Sequence, residues 1–316
     1  MTGPASPTHA TLGELVNAGA QRLQSAAGDA RENPRHEARL LMQAAMGLDH
    51  GRLVVGSGDP VGQADAARFW DMVGDRARGV PLQLIVGETP FHAVTLHVDE
   101  GVFIPRPETE LLVEEAVGAA RAHLRRQPGD GRPGGVRVLD LCTGTGAVAV
   151  AVAVALREEP RVAVAAGDWN PRAVRLARRN AARHAVELDV RRSDLLSAFA
   201  DLEGRVHVLV SNPPYIAPTE AESLSLEVRL GDPRDALFDP DGGTGFHRRI
   251  IDRGRRFLVR GGVLILEVGE TQGDEVATVM RQRGYEATRV LPDLAGRNRF
   301  VRGTWTKEGT AWTRSS

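Results

Sequence analysis

Between Arg137 and Val268, apolar strand-like runs alternate with helical patterns, and that alternation leaves the chain few folds to choose from. The runs are Arg137 to Leu141, Arg161 to Gly167, Glu187 to Arg191, Arg205 to Ser211 and Gly262 to Val268. Strands separated by helices cannot pair as hairpins; they build a mostly parallel sheet whose two faces the helices cover. Two later stretches, Tyr285 to Leu291 and Arg299 to Trp305, have too short a connection for a helix. They are expected to pair as an antiparallel hairpin at one edge.

Residues 11–79 read as helices. Thr11 with Glu14 forms a capping box ahead of Leu12, Leu15, Val16, Leu23 and Ala26 at helical spacing. Asn33-Pro34 provides the cap and first turn of a second helix that Gly47 can end, and a third, near Ala64 to Ala77, should bury Phe69, Trp70 and Val73. Around Val94, Leu96 and Val98 the period changes to two, which signals a hairpin. The expected organisation is a disordered start (1–10), a helical domain (11–90), a hairpin linker (91–106), the α/β domain (107–305) and a disordered tail (306–316). Gln127 to Gly135, rich in Gly and Pro, is expected to be a loop.

The chemistry-bearing residues fall at predicted strand ends. Asp140-Leu141-Cys142-Thr143-Gly144-Thr145-Gly146 closes the first strand and opens an Ala/Val helix. A Gly-rich turn at a strand's carboxyl end is where open α/β sheets bind nucleotides, because glycine lets backbone approach the ligand; two glycines also suit a plain tight turn. The second strand ends at Asp168, about 20 residues further on, where such folds carry an acid on the ribose diol. Asn170-Pro171 already caps the following helix, so Asp168 is not needed there. Asp194, after the third strand, is a candidate acceptor for an adenine amino group or an ordinary turn residue.

The fourth strand stops abruptly in Asn212-Pro213-Pro214-Tyr215. Two prolines remove two backbone donors and fix φ, so the Asn212 side chain and its neighbouring carbonyls have little freedom. A planar NH2 group fits that arrangement: the Asn212 oxygen and the Pro213 carbonyl accept its hydrogens while Tyr215 stacks on its face. Asn-Pro also favours a simple turn. A pyrophosphate cofactor fits less well than S-adenosylmethionine, since Ala149 stands where a third glycine belongs and hydride transfer has no use for an NH2 acceptor. No His/Cys/Asp cluster has metal-ligand spacing, and no metal is expected.

The net charge of −1 and pI of about 6.8 supply no field to draw in nucleic acid or an anionic membrane. Cys142 is the single cysteine, so no internal disulfide forms and a reducing compartment suits the chain. No apolar run approaches the roughly 20 residues that span a bilayer. The first residues, small and polar, do not resemble a signal peptide. A cytoplasmic monomer is the expectation.

Five stretches make the chain similar to the HemK/PrmC family of protein-(glutamine-N5) methyltransferases: Gly79 to Gln83 with Gly87 and Phe91; Ile104 to Glu110; Asp140 to Gly146; Asn212 to Ile216; and Asp293 to Arg299. Leu266 to Gly269 adds weaker agreement. The resemblance implies a class I S-adenosylmethionine-dependent methyltransferase, a Rossmann-like seven-stranded sheet with a small N-terminal helical domain for substrate recognition. It implies that the glutamine of the Gly-Gly-Gln motif in class-1 peptide-chain release factors is the substrate. Cofactor contacts are then expected from Cys142, Thr143, Gly144, Thr145, Gly146, Asp168, Asp194, Leu195 and Asn212, and substrate contacts from Asn212, Pro213, Pro214 and Tyr215. Cys142 replaces the family's usual glycine, and Leu195 an aromatic of some members. A ribosomal-protein glutamine methyltransferase and an N6-adenine methyltransferase remain rivals at this point, as does a scaffold that binds cofactor without catalysis.

Overall fold

The computed structural model describes residues 10–26, 33–126 and 135–307. The expected disordered ends and the loop from Gln127 lie mostly outside these residues; Thr306, placed in the expected tail, is described and hydrogen-bonds Glu286. The chain divides into two compact units, Met1–Glu88 with Leu224–Gly231, and Thr89–Ser223 with Asp232–Ser316.

The first unit is helical: α1 (Leu12–Gln24), α2 (Pro34–Met46), α3 (His50–Val55), α4 (Gln63–Ala77) and α5 (Leu82–Val86), joined by the short helix Leu226–Gly231. Thr11 and Glu14 make the reciprocal capping box, Asn33 caps α2, and Gly47 closes it in the left-handed region at φ 64°. Leu12, Leu15 and Leu23 of α1 pack with Leu41 and Met42 of α2 and with Phe69 and Val73 of α4. Trp70 is 39% exposed, contrary to the sequence expectation. The buried stripe of α4 is Phe69, Val73 and Arg76, and Trp70 lies one helical step, about 100°, off it. Arg76 is buried because its guanidinium is matched on several sides, by Glu37 (2.9 Å), Glu227 (3.1 Å) and the Val80 carbonyl (3.0 Å). Through Glu227 the inserted helix is tied to its unit, a connection no local sequence pattern signals.

The second unit begins with a two-stranded ribbon, β1 (Glu88–Phe91) and β2 (Val94–His97), which lies ahead of most of the 91–106 stretch expected to hold it. Val94 and Leu96 do alternate inward, but their partner strand precedes them. A single 3-10 turn, Pro107–Thr109, leads into α6 (Glu110–Arg126). Next come β3 (Val136–Leu141), α7 (Ala147–Ala155), β4 (Val162–Asp168), α8 (Pro171–Arg183), β5 (Asp189–Arg192) and β6 (Val206–Ser211). The chain closes with α9 (Gly245–Gly254), β7 (Leu258–Glu267), α10 (Gly273–Gln282), β8 (Tyr285–Pro292) and β9 (Asn298–Trp305). The sheet has seven strands in the order β5-β4-β3-β6-β7-β9-β8, and β9 alone runs antiparallel to its neighbours β7 and β8.

Period-two alternation distributes the sheet's side chains to two cores. Val136 and Val138 of β3, with Val208 and Val210 of β6, face Ala116 of α6 and Val148 of α7. Leu139 and Leu141, with Leu209 and Leu264, face Ile250 and Ile251 of α9 and Met280 of α10. Covering both faces is what nearly continuous apolar strands require.

Against the first core, His123 of α6 meets His207 of β6 edge to face, with ring centroids 5.2 Å apart. Both are buried, and His207 Nδ1 accepts the Arg137 N–H (3.1 Å), which marks a neutral ring. Burial, reinforced by His207 and Arg126, lowers the His123 pKa from 6.5 to about 4. Between those values the unfolded chain binds a proton that the folded chain refuses, so His123 removes stability as pH falls from 6.5 towards 4. Going from pH 7 to pH 5 this amounts to about 2 kcal/mol. The buried carboxyls of Asp140 and Glu267, both raised to about 7, titrate with the opposite sign, so the test compares variants rather than conditions. In urea denaturation, His123→Leu should lose about 2 kcal/mol less than the wild type over that interval. Equal losses would contradict a neutral buried His123.

Candidate active site

Parallel register sets the site. Gly167 pairs with Leu141, Leu141 with Ser211, and Ser211 with Leu266, so four strands end level. The next residues along are Asp168, Cys142, Asn212 and Glu267, which stand in one row at the carboxyl edge. The Ser211 hydroxyl donates to the Leu141 carbonyl (2.8 Å) and reinforces that row.

In front of it opens a cavity of about 540 Å³. Of the residues expected from sequence, Cys142, Gly144, Asp168, Asp194, Leu195, Asn212, Pro213, Pro214 and Tyr215 all line it. Thr143, Thr145 and Gly146 do not. Thr143 turns its hydroxyl to the Asp140 carboxylate (2.6 Å), and Thr145 is buried with its Oγ1 unpartnered. Both instead border a narrow adjoining pocket beside Thr109, Asp140 and Asn212. Gly146, at φ 82°, caps α7, and a Cβ there would lie 2.9 Å from the Ala177 Cβ. Its role is to let α7 lie against α8.

Asp168 closes the Gly-rich loop. Its Oδ2 accepts the Gly144 N–H and its Oδ1 the Asn170 N–H, both at 2.8 Å. An ionised carboxylate has about four acceptor positions, so each oxygen keeps one for a ligand hydroxyl. Burial raises the Asp168 pKa while those two N–H donors oppose the rise. Asp194 receives Arg249 Nη2 on both oxygens (2.7 and 2.9 Å), a pairing the sequence did not suggest. Cys142 (φ 56°) and Leu195 (φ 50°) adopt the left-handed conformation that glycine takes freely. For other residues it costs on the order of 1–2 kcal/mol, and such strain concentrates at functional sites. Burial pushes the Cys142 thiol well above its ordinary value, so it is a neutral wall group.

The tetrapeptide is held at both ends. The Asn212 Nδ2 donates to Thr109 Oγ1 (3.3 Å), and Thr109 Oγ1 donates to Glu267 Oε2 (2.8 Å). At the other end the Gln272 Nε2 donates to the Tyr215 carbonyl (2.7 Å) and to that of Gly243 (3.2 Å), while its Oε1 accepts the Gly269 N–H (2.9 Å). Ile216 bridges in parallel to Phe238. Thr109, Glu267, Gln272 and Arg249 were assigned no role from sequence. Thr109 and Glu267 lie within motif stretches, yet only the sheet register shows that they meet. Trp169, next to Asp168 and 62% exposed, also lines the cavity. Its ring carries the Arg192 guanidinium at 5.2 Å.

The family profile described as the PrmC N-terminal domain matches residues 14–87, and that of the methyltransferase small domain matches residues 122–231. A release factor glutamine methyltransferase of Streptomyces coelicolor is 38% identical over 284 residues, covering 89% of this chain and 95% of that protein. One of Mycolicibacterium smegmatis is 40% identical over 275 residues, 86% of this chain and 90% of that protein. Among solved structures, the release factor-specific protein-(glutamine-N5) methyltransferase of Alicyclobacillus acidocaldarius is 33% identical with a TM-score of 0.37, covering 65% of this chain and 95% of that one.

The two loop glycines should respond differently to a methyl group. At Gly144 the nearest atoms to a Cβ are 3.9 Å away, so Gly144→Ala should cost only the left-handed backbone, about 1 kcal/mol. Gly146→Ala adds overpacking against Ala177 and should lose about 3 kcal/mol in all. Denaturant midpoints check this, and equal losses would remove Gly146 from the α7–α8 contact.

Proposed function

Because the chain belongs to the release factor glutamine methyltransferase family, we propose that it transfers a methyl group to the side-chain amide nitrogen of the glutamine in the Gly-Gly-Gln motif of class-1 release factors. The observation that carries this reading is the Asn212 side chain, whose NH2 end is taken by Thr109, leaving its oxygen as an acceptor beside the cavity that Asp168 borders.

The residues present suit S-adenosylmethionine. Asp168 retains acceptor positions for the ribose hydroxyls, and the wall at Asp194 and Leu195 suits adenine. Cys142 and Gly144 bring loop backbone to the cavity, and the unpartnered Thr145 hydroxyl marks a polar niche next to it. When bound, the cofactor supplies a methyl group activated by its sulfonium. The chain's own task is to make an amide nitrogen nucleophilic. In an amide that lone pair is delocalised into the carbonyl; Asn212 and the Pro213 carbonyl would accept the two N–H groups, aim the lone pair and stabilise positive charge as it grows on nitrogen. One of those two protons would then pass to solvent to leave the neutral N-methyl amide. Holding two reactants in line contributes on the order of 7–11 kcal/mol, so alignment outweighs acid-base catalysis here. Tyr215 bounds the amide's face.

An N6-adenine substrate poses the same NH2 problem, but the near-neutral net charge of −1 favours a protein partner. The N-terminal unit, in residues 14–87 of which the PrmC N-terminal domain matches, is read as the part that recognises the folded release factor. A reducing, cytoplasmic location accords with the single cysteine, which leaves no internal disulfide; among the described residues no helix is long and apolar enough to cross a membrane.

Asn212→Ala should lower kcat on a release factor about 100-fold or more, the loss typical of one transition-state hydrogen-bonding group. Because Asn212 also lines the cofactor cavity, calorimetric affinity for S-adenosylmethionine should fall far less than turnover does. A variant with unimpaired turnover would exclude Asn212 as the amide acceptor.

A further inference from the structure

We propose that Glu267, acting through Thr109, fixes which end of the Asn212 carboxamide faces the substrate, and is thus a positioning residue for methyl transfer. This rests on the functional reading above. A carboxamide's oxygen and NH2 ends are close in shape and opposite in hydrogen bonding. An Asn212 turned by 180° would oppose a donor to the glutamine's own NH2, so something must choose the rotamer.

The hydrogen-bond chain supplies the choice. Glu267 is the neighbour of Asn212 in the sheet row, since Ser211 pairs with Leu266, and it is 2% exposed. An ionised carboxylate only accepts, so the Thr109 hydroxyl must spend its single proton on Glu267 Oε2 (2.8 Å). Thr109 Oγ1 is left with lone pairs for Asn212, which must then present Nδ2 (3.3 Å). The Asn212 oxygen is consequently turned away as the free acceptor. The polarity of the chain therefore starts at a charge that touches neither cofactor cavity nor adjoining pocket.

The charged and titratable groups facing Glu267 come from four elements. Arg299 of β9 favours its ionised form, while Glu108 of the 3-10 turn opposes it. The Tyr215 hydroxyl after β6 also favours the ionised form, and His247 of α9, a ring whose pKa burial lowers, hydrogen-bonds its backbone carbonyl (2.8 Å). Burial outweighs these partners and raises the carboxyl to about 7. Once protonated, Glu267 can donate to Thr109, which frees the Thr109 proton for the Asn212 oxygen and reverses the chain. Turnover should therefore rise with pH as Glu267 ionises. Asp140, also raised to about 7, borders the adjoining pocket, so the reading is taken at saturating cofactor.

The experiment measures kcat on a release factor from pH 6 to 9 (roughly one unit below to two above the Glu267 value, so that both protonation states are sampled). The wild type should show a rise near neutrality. Glu267→Gln should lose that rise and fall about tenfold or more in kcat, as supporting hydrogen-bond partners typically do, at unchanged S-adenosylmethionine affinity. Thr109→Ser, which keeps the hydroxyl, should stay close to wild type; Thr109→Val should fall with Glu267→Gln. Wild-type kcat and an intact pH rise in Glu267→Gln would overturn the proposal. If that variant does not fold, equal turnover in Thr109→Ser and Thr109→Val would overturn it instead. A wild-type protein that methylates no release factor would refute the functional reading, before any variant is compared.

Discussion

The level ending of four parallel strands is the constraint from which the site follows. Gly167, Leu141, Ser211 and Leu266 occupy one register row, so the residue after each must emerge at the same edge. A slip of one residue in any pairing would send that side chain to the opposite face of the sheet. Register is held because both faces are buried: shifting β6 would exchange Val208 and Val210 with Leu209 between two differently shaped cores. The apolar packing that stabilises the domain is thus also what aligns Asp168, Cys142, Asn212 and Glu267.

Around that row the protein holds unfavourable features in place. Cys142 and Leu195 occupy left-handed backbone, and Asp140 and Glu267 are carboxyls buried almost completely. An isolated buried charge is costly, and each here is partly compensated by a nearby hydroxyl, Thr143 for Asp140 and Thr109 for Glu267. The low dielectric that raises these pKa values also strengthens the hydrogen bonds in which the groups take part. A fixed acceptor for a weak nucleophile gains from such surroundings, because its orientation is set before substrate arrives.

Much of this was legible in the sequence. The Asp140 to Gly146 turn, Asp168 and the Asn212 to Tyr215 tetrapeptide each sit at the end of a recognisable strand, and strand ends in an α/β sheet converge. The late hairpin of β8 and β9 followed from a connection too short for a helix. What was not legible depends on contacts distant in sequence. Thr109 reaches Glu267 across 158 positions, and Arg76 reaches Glu227 across 151, with no periodicity to announce either. The motif from Cys142 to Gly146 reads as one continuous strip, but the fold divides it between two neighbouring hollows, with Thr143 and Thr145 on the narrower one. In three dimensions the strip turns inward after Cys142, and only Gly144 returns to the cavity wall. The ribbon was placed too late because β1, with Thr89 and Pro90, lacks the apolar alternation that marks β2.

Mass spectrometry of a class-1 release factor, incubated with the protein and S-adenosylmethionine and compared with an untreated control, tests the central claim most directly. One added methyl group on the side-chain amide of the Gly-Gly-Gln glutamine is the predicted result. An unmodified glutamine, with methyl recovered instead on adenine in nucleic acid, would contradict it.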